Sequence, residues 1–379
     1  MDLGAQTPAE MNNRWVVTFA GTNTGWTGEL EAGNRNGANS YDQGPDFDKQ
    51  HVVRFGLDQG LTTWAIGSNN VVVLRHDVAL QAHGSHVTIG TLISDASEGG
   101  DGYYGNQIVT NTWIENGGFN PGSLTIVQAT NQFFSGGIRD GTVYRTYATN
   151  SPAAALSIVK DGPASLTLAQ SNTYSGATRV MAGTLALTGA ASIVHSHTIQ
   201  IDAGATFDVT DRDGGLMTLV SGQTLKGEGT FDGGLIVASG ADVAPGSSPG
   251  ILTATGDVEL QSGSTFTVEL VGTLAGEADQ LLMSGAGDTL TLGGATLALV
   301  TPNVLPYSSS FIIIDGFSAL SGTFAGLPND GDTVATANNT FEIQYNASDI
   351  TLTVIPEPGS MGFIGLAGLL GWLARRRRS

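Results

Sequence analysis

The sequence predicts an all-β protein built as a β-solenoid, in which short strands stack coil upon coil. Glycine is abundant, at 54 of 379 residues, while cysteine is absent and only 13% of the residues are charged. A short glycine-centred unit recurs along the middle of the chain. No long window of helical periodicity precedes the C-terminal tail, so the alternation of apolar and polar residues favours strands.

The recurring unit consists of a small residue, a glycine and then alternating apolar positions. The six units are Ala182–Thr188, Ala203–Thr210, Ser221–Gly227, Ser239–Pro245, Ser262–Leu270 and Gly293–Val300. Except for a longer last gap, their glycines are roughly 18 to 23 residues apart, which is the spacing of solenoid coils. These glycines should supply the positive φ angle at the corner between strands. They are Gly183, Gly204, Gly222, Gly240, Gly263 and Gly294.

Within each unit the alternation has period two, so the apolar side chains share one face of a strand. Those expected to face the interior are Leu185, Leu187, Phe207, Val209, Phe266, Val268, Leu270, Leu297 and Leu299. One such unit cannot bury its apolar face alone, whereas stacked coils align these side chains in a continuous column. The alternative is a β-sandwich, which also has short strands but gives no reason for the unit to recur.

The regular solenoid is expected to cover residues 154–301, and residues 1–153 are expected to form an irregular N-terminal β region or cap. Strands are predicted there at Val71–Leu74, His86–Ile93 and Ser123–Gln128. This region is either a set of earlier coils of the same solenoid or a separate small β domain. A solenoid needs such a cap to shield its open end.

Residues 302–355 alternate again and are expected to close the solenoid on its other side. The clearest strand patterns there are Phe311–Ile314 and Ile350–Val354.

One segment, Leu156–Leu187, resembles the autotransporter-associated β-strand repeat of passenger domains. The matching residues are Lys160, Gly162, Leu166, Leu168, Asn172, Thr173, Tyr174, Gly176, Thr178, Val180, Ala182, Gly183, Thr184 and Leu185. The lead-in Phe134–Ile138 with Asp140 and Gly141, and the later stretch Ala244–Phe266, are also similar to passenger sequence. The resemblance implies a right-handed parallel β-helix.

The last 24 residues, 356–379, have a different character from the rest. Pro356, Glu357 and Pro358 precede an uncharged apolar run, and the four basic residues Arg375, Arg376, Arg377 and Arg378 follow it. The prolines leave the first part extended, and the run predicts a short hydrophobic helix whose arginines stay on the cytoplasmic side of a membrane. Representative residues of this membrane segment are Gly359, Leu366, Leu369, Leu370, Trp372 and Ala374. A buried C-terminal helix with a solvated basic end is the alternative.

This order of parts resembles the PEP-CTERM sorting signal of Gram-negative bacteria that make exopolysaccharide. The resemblance implies recognition by an exosortase, which is a membrane-embedded processing enzyme, and cleavage near the Pro-Glu-Pro box. It further implies transient anchoring in the inner membrane and delivery to the cell surface or extracellular matrix. The stretch Met1–Trp15 shows no secretory leader, so we expect a start codon placed too far downstream or a trimmed signal.

The net charge of −19 argues against nucleic acid as a partner, because the body of the protein is repelled by phosphates. An acidic exterior rich in hydroxyl groups could instead contact exopolysaccharide through hydrogen bonds.

Few residues are candidates for catalysis or metal binding. Asp208, Asp211 and Asp213, with Arg212 among them, are expected to form a polar turn, with weak calcium binding as the alternative. Two histidine pairs are expected at the surface, although two histidines on one face of a strand could hold a metal. The pairs are His83 with His86 and His195 with His197. Ser247 and Ser248 lie in a Pro/Gly turn without the context of a nucleophile.

Aromatic side chains could bind sugars by stacking, and six of them lie outside the regular repeat, where core packing is an equally good interpretation. They are Trp15, Trp26, Trp64, Trp113, Tyr103 and Tyr104. We therefore predict no catalytic site, metal or cofactor, and expect a non-enzymatic structural or adhesive protein of biofilm or exopolysaccharide. The alternative function is that of a β-helical carbohydrate-active enzyme, a polysaccharide lyase or hydrolase, which would need clustered carboxylates.

Overall fold

The computed structural model describes residues 16–19, 29–32, 51–55, 63–65, 70–74, 78–82, 84–94, 113–116, 118–143, 151–152 and 154–356. Every regular element within these ranges is a β-strand, so the all-β prediction is confirmed for the described part of the chain. The predicted hydrophobic helix lies outside the described residues. The chain divides into two compact units, residues 1–234 and residues 235–379. The sequence did not predict this division.

The strands of the first unit are short, as the glycine-punctuated sequence requires. They begin with β1 (Val16–Phe19), β2 (Glu29–Ala32), β3 (His51–Phe55), β4 (Thr63–Ala65), β5 (Val71–Leu74), β6 (Val78–Gln81), β7 (His86–Ile89), β8 (Thr91–Ser94), β9 (Trp113–Glu115), β10 (Gly122–Val127), β11 (Gln132–Phe134) and β12 (Gly137–Arg139). They continue with β13 (Thr142–Val143), β14 (Ser151–Pro152), β15 (Leu156–Asp161), β16 (Ser165–Leu168), β17 (Thr178–Val180), β18 (Thr184–Leu187), β19 (Thr198–Ile201), β20 (Thr206–Asp208), β21 (Leu216–Leu219), β22 (Thr224–Gly227) and β23 (Thr230–Asp232).

The second unit contains the remaining strands, the first of which begins at the unit boundary. These are β24 (Gly234–Val237), β25 (Asp242–Pro245), β26 (Ile251–Ala254), β27 (Val258–Leu260), β28 (Thr265–Glu269), β29 (Gln280–Met283), β30 (Thr289–Gly293), β31 (Thr296–Val300), β32 (Ser310–Asp315), β33 (Ala319–Thr323), β34 (Thr333–Ala335), β35 (Thr340–Tyr345) and β36 (Asp349–Ile355).

Parallel pairing of strands from successive coils organises the first unit. One sheet has the order β4-β7-β10-β15-β17-β19-β22, and a second has the order β11-β16-β18-β20-β23. Two further parallel sheets, β1-β3-β6-β9-β12 and β2-β5-β8, lie in the N-terminal third. Because the chain leaves each sheet and returns to add the next strand in parallel, the arrangement is consistent with a β-solenoid.

This pairing decides against the β-sandwich alternative, whose sheets are antiparallel. In the N-terminal third, the three predicted strand patterns appear as β5, as β7 with β8, and as β10. The stretch His86–Ile93 is two strands because Gly90 interrupts it, and β10 pairs in parallel with both β7 and β15.

Side chains at equivalent positions of successive coils form columns inside the first unit. In the second of its sheets, Leu166 pairs with Leu185, Leu185 with Phe207 and Phe207 with Phe231, and all four side chains are fully buried. The rings of Phe207 and Phe231 stack with centroids 5.9 Å apart. The predicted interior face is therefore confirmed along this column. Among the predicted interior residues, Leu299 of the second unit is an exception, because it is only half-buried near the end of β31.

The corner glycines adopt the backbone conformation that the sequence predicted for them. All six have positive φ angles, from 64° at Gly183 to 86° at Gly222. At Gly183 the chain also passes close to the preceding coil, because a Cβ atom there would lie 2.5 Å from the Gly162 carbonyl oxygen. Gly204 occupies an equivalent corner with nothing within 4 Å of such an atom. A substitution at Gly204 therefore meets backbone strain alone, whereas a substitution at Gly183 meets backbone strain and close packing together.

Replacing Gly183 with alanine should therefore destabilise the first unit more than replacing Gly204. The Gly204→Ala variant meets only the strain of a left-handed alanine, which costs about 1–2 kcal/mol. The Gly183→Ala variant adds a clash with backbone carbonyl groups that cannot rotate away. Equilibrium unfolding in urea measures both variants, and equal losses of stability would contradict the close approach at Gly183.

Three polar side chains that carry the passenger resemblance are buried within the first unit. Lys160 donates hydrogen bonds from Nζ to the carbonyl oxygens of Asp161, Gly162 and Ala182, at 2.9–3.0 Å. Asn172 accepts the Ile138 N–H at Oδ1. The Tyr174 hydroxyl lies 2.6 Å from Thr178 Oγ1, and burial raises the pKa of this tyrosine. These side chains satisfy polar groups that the turns leave inside the coil.

The burial of Lys160 makes stability depend on pH. Desolvation lowers the pKa of its ammonium group to about 8, against the attraction of Asp161, whereas in the unfolded chain the pKa is near 10.5. Between these values the unfolded chain binds more protons, so this group should make the folded state more stable as pH rises, by at most about 1.4 kcal/mol per pH unit.

The Lys160→Met variant should lose this part of the pH dependence. Urea unfolding of both proteins between pH 7.5 and 9.5 tests the expectation, since ordinary tyrosines titrate only near pH 10. Parallel stability profiles for the two proteins would contradict it.

The second unit begins with parallel sheets and ends with antiparallel strands. Its parallel sheets are β25-β28-β31, β24-β27-β30-β33 and β26-β29-β32. The last of these continues through antiparallel neighbours in the order β32-β36-β35-β34. Buried aromatic rings pack in the interior of this unit. The rings of Phe266 and Phe324 are stacked, and those of Phe311 and Phe341 pack edge to face. The change from parallel to antiparallel pairing ends the coil pattern just before the tail.

Candidate functional site

The acidic stretch after β20 forms a polar turn, as predicted. Asp208 Oδ1 accepts hydrogen bonds from both the backbone N–H and the hydroxyl of Thr210, so this aspartate initiates the turn. Gly214 and Gly215 complete it with positive φ angles. The loop is joined to the preceding coil, since Gly189 donates its N–H to the Asp211 carbonyl oxygen.

A pocket of about 160 Å³ opens beside this turn. It is lined by Leu187, Ser192, Ile193, Val194, Arg212, Asp213, Leu216, Met217, Thr218 and Val220. The Arg212 guanidinium donates from Nη1 to the Leu216 carbonyl oxygen at 2.8 Å, while its Nε is buried without a hydrogen-bond partner. Burial lowers the pKa of this arginine, against the attraction of Asp213.

The chemistry of this pocket is limited by its residues. Asp213 is the only carboxylate among the lining side chains, whereas hydrolysis of a glycosidic bond normally needs two carboxyl groups. Within the described ranges, no group of three or more His, Asp or Glu side chains lies close enough to hold a metal ion. The pocket therefore combines a mostly apolar lining with one cationic and one anionic group. The sequence indicated Arg212 but not the pocket, because its walls come from separate stretches of the chain.

The histidines lie at the surface where the structure describes them. His195 and His197 are exposed in a turn before β19, not on a strand, and His197 Nδ1 is 2.7 Å from the Ser175 carbonyl oxygen. His86 is exposed and its Nδ1 lies 2.6 Å from Ser123 Oγ. His83 lies outside the described residues. The prediction of surface histidines is confirmed for these three. The strand on which His195 and His197 could have shared a face is not formed there, because the chain turns.

Ser247 and Ser248 lie in a turn that is fastened by a buried carboxylate. Asp279 accepts the backbone N–H groups of Gly250 and Glu269, each at 2.8 Å. Ser248 has a positive φ of 107° and donates its hydroxyl hydrogen bond to the Glu269 carboxylate. These hydrogen bonds hold the turn against Asp279 and the end of β28.

Of the six aromatic residues proposed for sugar stacking, Trp64 and Trp113 lie in strands β4 and β9, whose side-chain environment is outside the description. The other four, Trp15, Trp26, Tyr103 and Tyr104, lie outside the described residues altogether.

The strand β36 ends at Ile355, directly before the predicted sorting signal. Pro356 follows this strand and is half-buried, and it is the last described residue. The remaining residues of the predicted sorting signal and membrane segment lie outside the described part. In the part of the chain that the structure describes, no helix is long and apolar enough to cross a membrane.

Two family models match the chain at the places that carried the resemblances. The PEP-CTERM protein-sorting motif matches residues 354–378, and the passenger-associated-transport-repeat matches residues 158–187. A search of curated proteins found no match.

The chain therefore carries a PEP-CTERM sorting motif and a passenger-type repeat, as the sequence predicted. Such a motif is recognised by an exosortase and indicates export with transient membrane anchoring in a Gram-negative bacterium.

Proposed function

We propose that this protein is a non-enzymatic structural or adhesive component of the cell surface or extracellular matrix. The observation that carries the proposal is the sorting motif over residues 354–378, which marks the chain for exosortase processing and delivery outside the cell. In this proposal the body of the protein is a right-handed parallel β-helix, the fold that the passenger resemblance implies. Cleavage near the Pro-Glu-Pro box releases that body from the inner membrane.

The exterior of the first unit supports a role in contact with exopolysaccharide. Ser165, Thr184, Thr206 and Thr230 are paired in register on successive strands, and each is half-exposed on the outward face. Their hydroxyl groups are repeated at the strand spacing, about 4.8 Å. Each hydroxyl can donate and accept a hydrogen bond, so the ladder suits a neutral, hydroxyl-rich polymer.

The non-enzymatic assignment is supported by the contacts of the candidate residues. Asp208 is engaged in its own turn, and the buried Asp279 fastens a loop. The Arg212 pocket contains one carboxylate, where a lyase or hydrolase would use a cluster of acidic and basic groups.

The proposal is tested in a host strain that lacks this protein. We expect weaker retention of exopolysaccharide or weaker surface attachment, restored by the native chain. Purified protein incubated with the host's exopolysaccharide should release neither reducing ends nor unsaturated sugar products. Release of either product would overturn the non-enzymatic assignment, and an unchanged matrix in the deletion strain would contradict the structural or adhesive role.

A further inference from the structure

The three most exposed large apolar side chains in the described part of the chain all belong to loops of the second unit. Val304 is 78% exposed, Leu274 is 72% exposed and Tyr307 is 64% exposed. Val304 and Tyr307 belong to the loop between β31 and β32, and Leu274 belongs to the loop between β28 and β29. We name the surface formed by these three residues the junction face.

Hydrogen bonds place the first of these loops at the end of β36, where the tail begins. Ser308 donates its backbone N–H to the Val354 carbonyl oxygen, and Val354 donates to that of Ser309, both at 2.8 Å. The side chain of Asn339 joins the same loop to the start of β35, because it accepts the Leu305 N–H at 2.7 Å.

A further side-chain hydrogen bond connects the two loops of the junction face. Asn303 donates from Nδ2 to the Val271 carbonyl oxygen at 2.8 Å, which holds the loop containing Leu274 beside the loop containing Val304. The junction face therefore lies beside the end of β36, which is followed by the last described residue, Pro356.

Long stretches around this point carry no charge, although Glu277 lies in the same loop as Leu274 and its carboxylate accepts the Leu274 N–H. Residues 271–276, 289–314, 333–341 and 350–356 contain no Asp, Glu, Lys or Arg, although the protein as a whole has a net charge of −19. A carboxylate facing a membrane loses hydration and is repelled by anionic lipids, whereas uncharged polar and apolar groups meet neither penalty. The part of the second unit nearest the tail is thus suited to a lipid surface.

The length of the tail brings this surface to the membrane. Only two residues, Glu357 and Pro358, separate Pro356 from the start of the apolar run at Gly359, and the three residue-to-residue steps between them span at most about 11 Å when fully extended. The headgroup layer on each side of a bilayer is roughly 6 Å thick. While the run is in the membrane, the end of β36 must therefore lie at or near the headgroups.

We propose that the junction face rests on the lipid headgroup region of the inner membrane while the precursor is anchored, an inference that builds on the proposed sorting function. Val304 and Leu274 insert at the interface, and Tyr307 lies where its ring is apolar and its hydroxyl remains hydrated, as tyrosine does at membrane boundaries. This contact holds the body in a fixed orientation and presents the segment after Pro356 at the membrane surface.

The absence of cysteine allows a direct test with the full chain. Single-cysteine variants Tyr307→Cys and Ser262→Cys are labelled with an environment-sensitive dye and inserted into vesicles of phosphatidylethanolamine and phosphatidylglycerol containing lipids with spin-labelled headgroups. Ser262 is an exposed matched control. It precedes β28, and the strands β28 and β31 are parallel, so it lies at the end of their sheet opposite to Val300 and the junction loop.

The dye at position 307 should be quenched, and its emission should shift to shorter wavelength. The dye at position 262 should show no quenching and no shift in emission. Adding Leu274→Glu and Val304→Glu to the Tyr307→Cys chain should reduce the quenching several-fold, because the added carboxylates resist the interface. Both positions are exposed, so these substitutions should leave the fold intact, and circular dichroism checks this.

Each other outcome identifies which claim fails. If the chain resists alkaline extraction from the vesicles but the two dyes respond equally, the lipid contact is wrong and the sorting function stands. If the dye at position 307 responds only when an exosortase is also reconstituted, the junction face binds that enzyme, and the assignment to lipid is overturned. If the chain does not enter membranes at all, transient anchoring fails, and the inference fails with it.

Discussion

The double variant Glu357→Ala, Pro358→Ala should abolish processing of the tail in the native host. Both substituted residues follow β36 and Pro356, the last described residue, so the substitutions should leave the fold of the described part unchanged. We expect recognition of the Pro-Glu-Pro box to depend on its extended backbone and on its carboxylate, and the variant removes one proline and the acid. The variant chain should remain at full mass in the membrane fraction, and intact-mass analysis with cell fractionation measures this.

Glu228→Gln is a matched control for the removed charge. Glu228 is exposed after β22 in the first unit, far along the sequence from the tail. This variant should be processed like the native chain. Normal cleavage of the double variant would contradict the role assigned to the Pro-Glu-Pro box, while failure of both variants would indicate a general export defect.

Phe207→Ala should cause the largest loss of stability among single substitutions in the interior column. Phe207 is fully buried between Leu185 and Phe231 in register, and its ring stacks on that of Phe231. Removing a buried phenylalanine side chain costs about 3–5 kcal/mol, because apolar burial is lost and a cavity remains. Urea unfolding followed by circular dichroism should show this loss in the transition of the first unit.

Phe133→Ala provides the comparison on the same sheet. Phe133 lies in β11 and is 50% exposed, so its removal leaves no cavity and should cost less than about 1 kcal/mol. Equal losses for the two variants would contradict the interior column as the source of stability.

The alternation and the corner glycines were readable from the sequence because each depends on local chemistry. Phe207 and Leu185 point inward because strand side chains alternate, and Gly183 and Gly204 adopt positive φ because glycine does so without steric strain. The direction of strand pairing was less readable. Nothing in the alternation of β32 and β36 distinguishes a parallel neighbour from an antiparallel one, so the antiparallel closure became visible only in the structure.

The interior polar residues were identified by resemblance, but their roles were not predictable. Lys160 occupies an inward position of β15, after the buried Leu156 and Ile158, where the alternation alone would call for an apolar residue. Its three acceptor carbonyls lie at the end of β15 and in the turns after β15 and β17, whose geometry no local pattern specifies. The Arg212 pocket and the junction face likewise depend on which loops are brought together, and this is set by the stacking of coils.

Sorting of the chain through its C-terminal motif can be measured by intact-mass analysis of the protein recovered from the native host's surface or medium. We expect a mass that lacks everything after about Pro358, with the apolar run and the four arginines removed. A full-length mass, with all four arginines retained in a soluble cytoplasmic fraction, would contradict it.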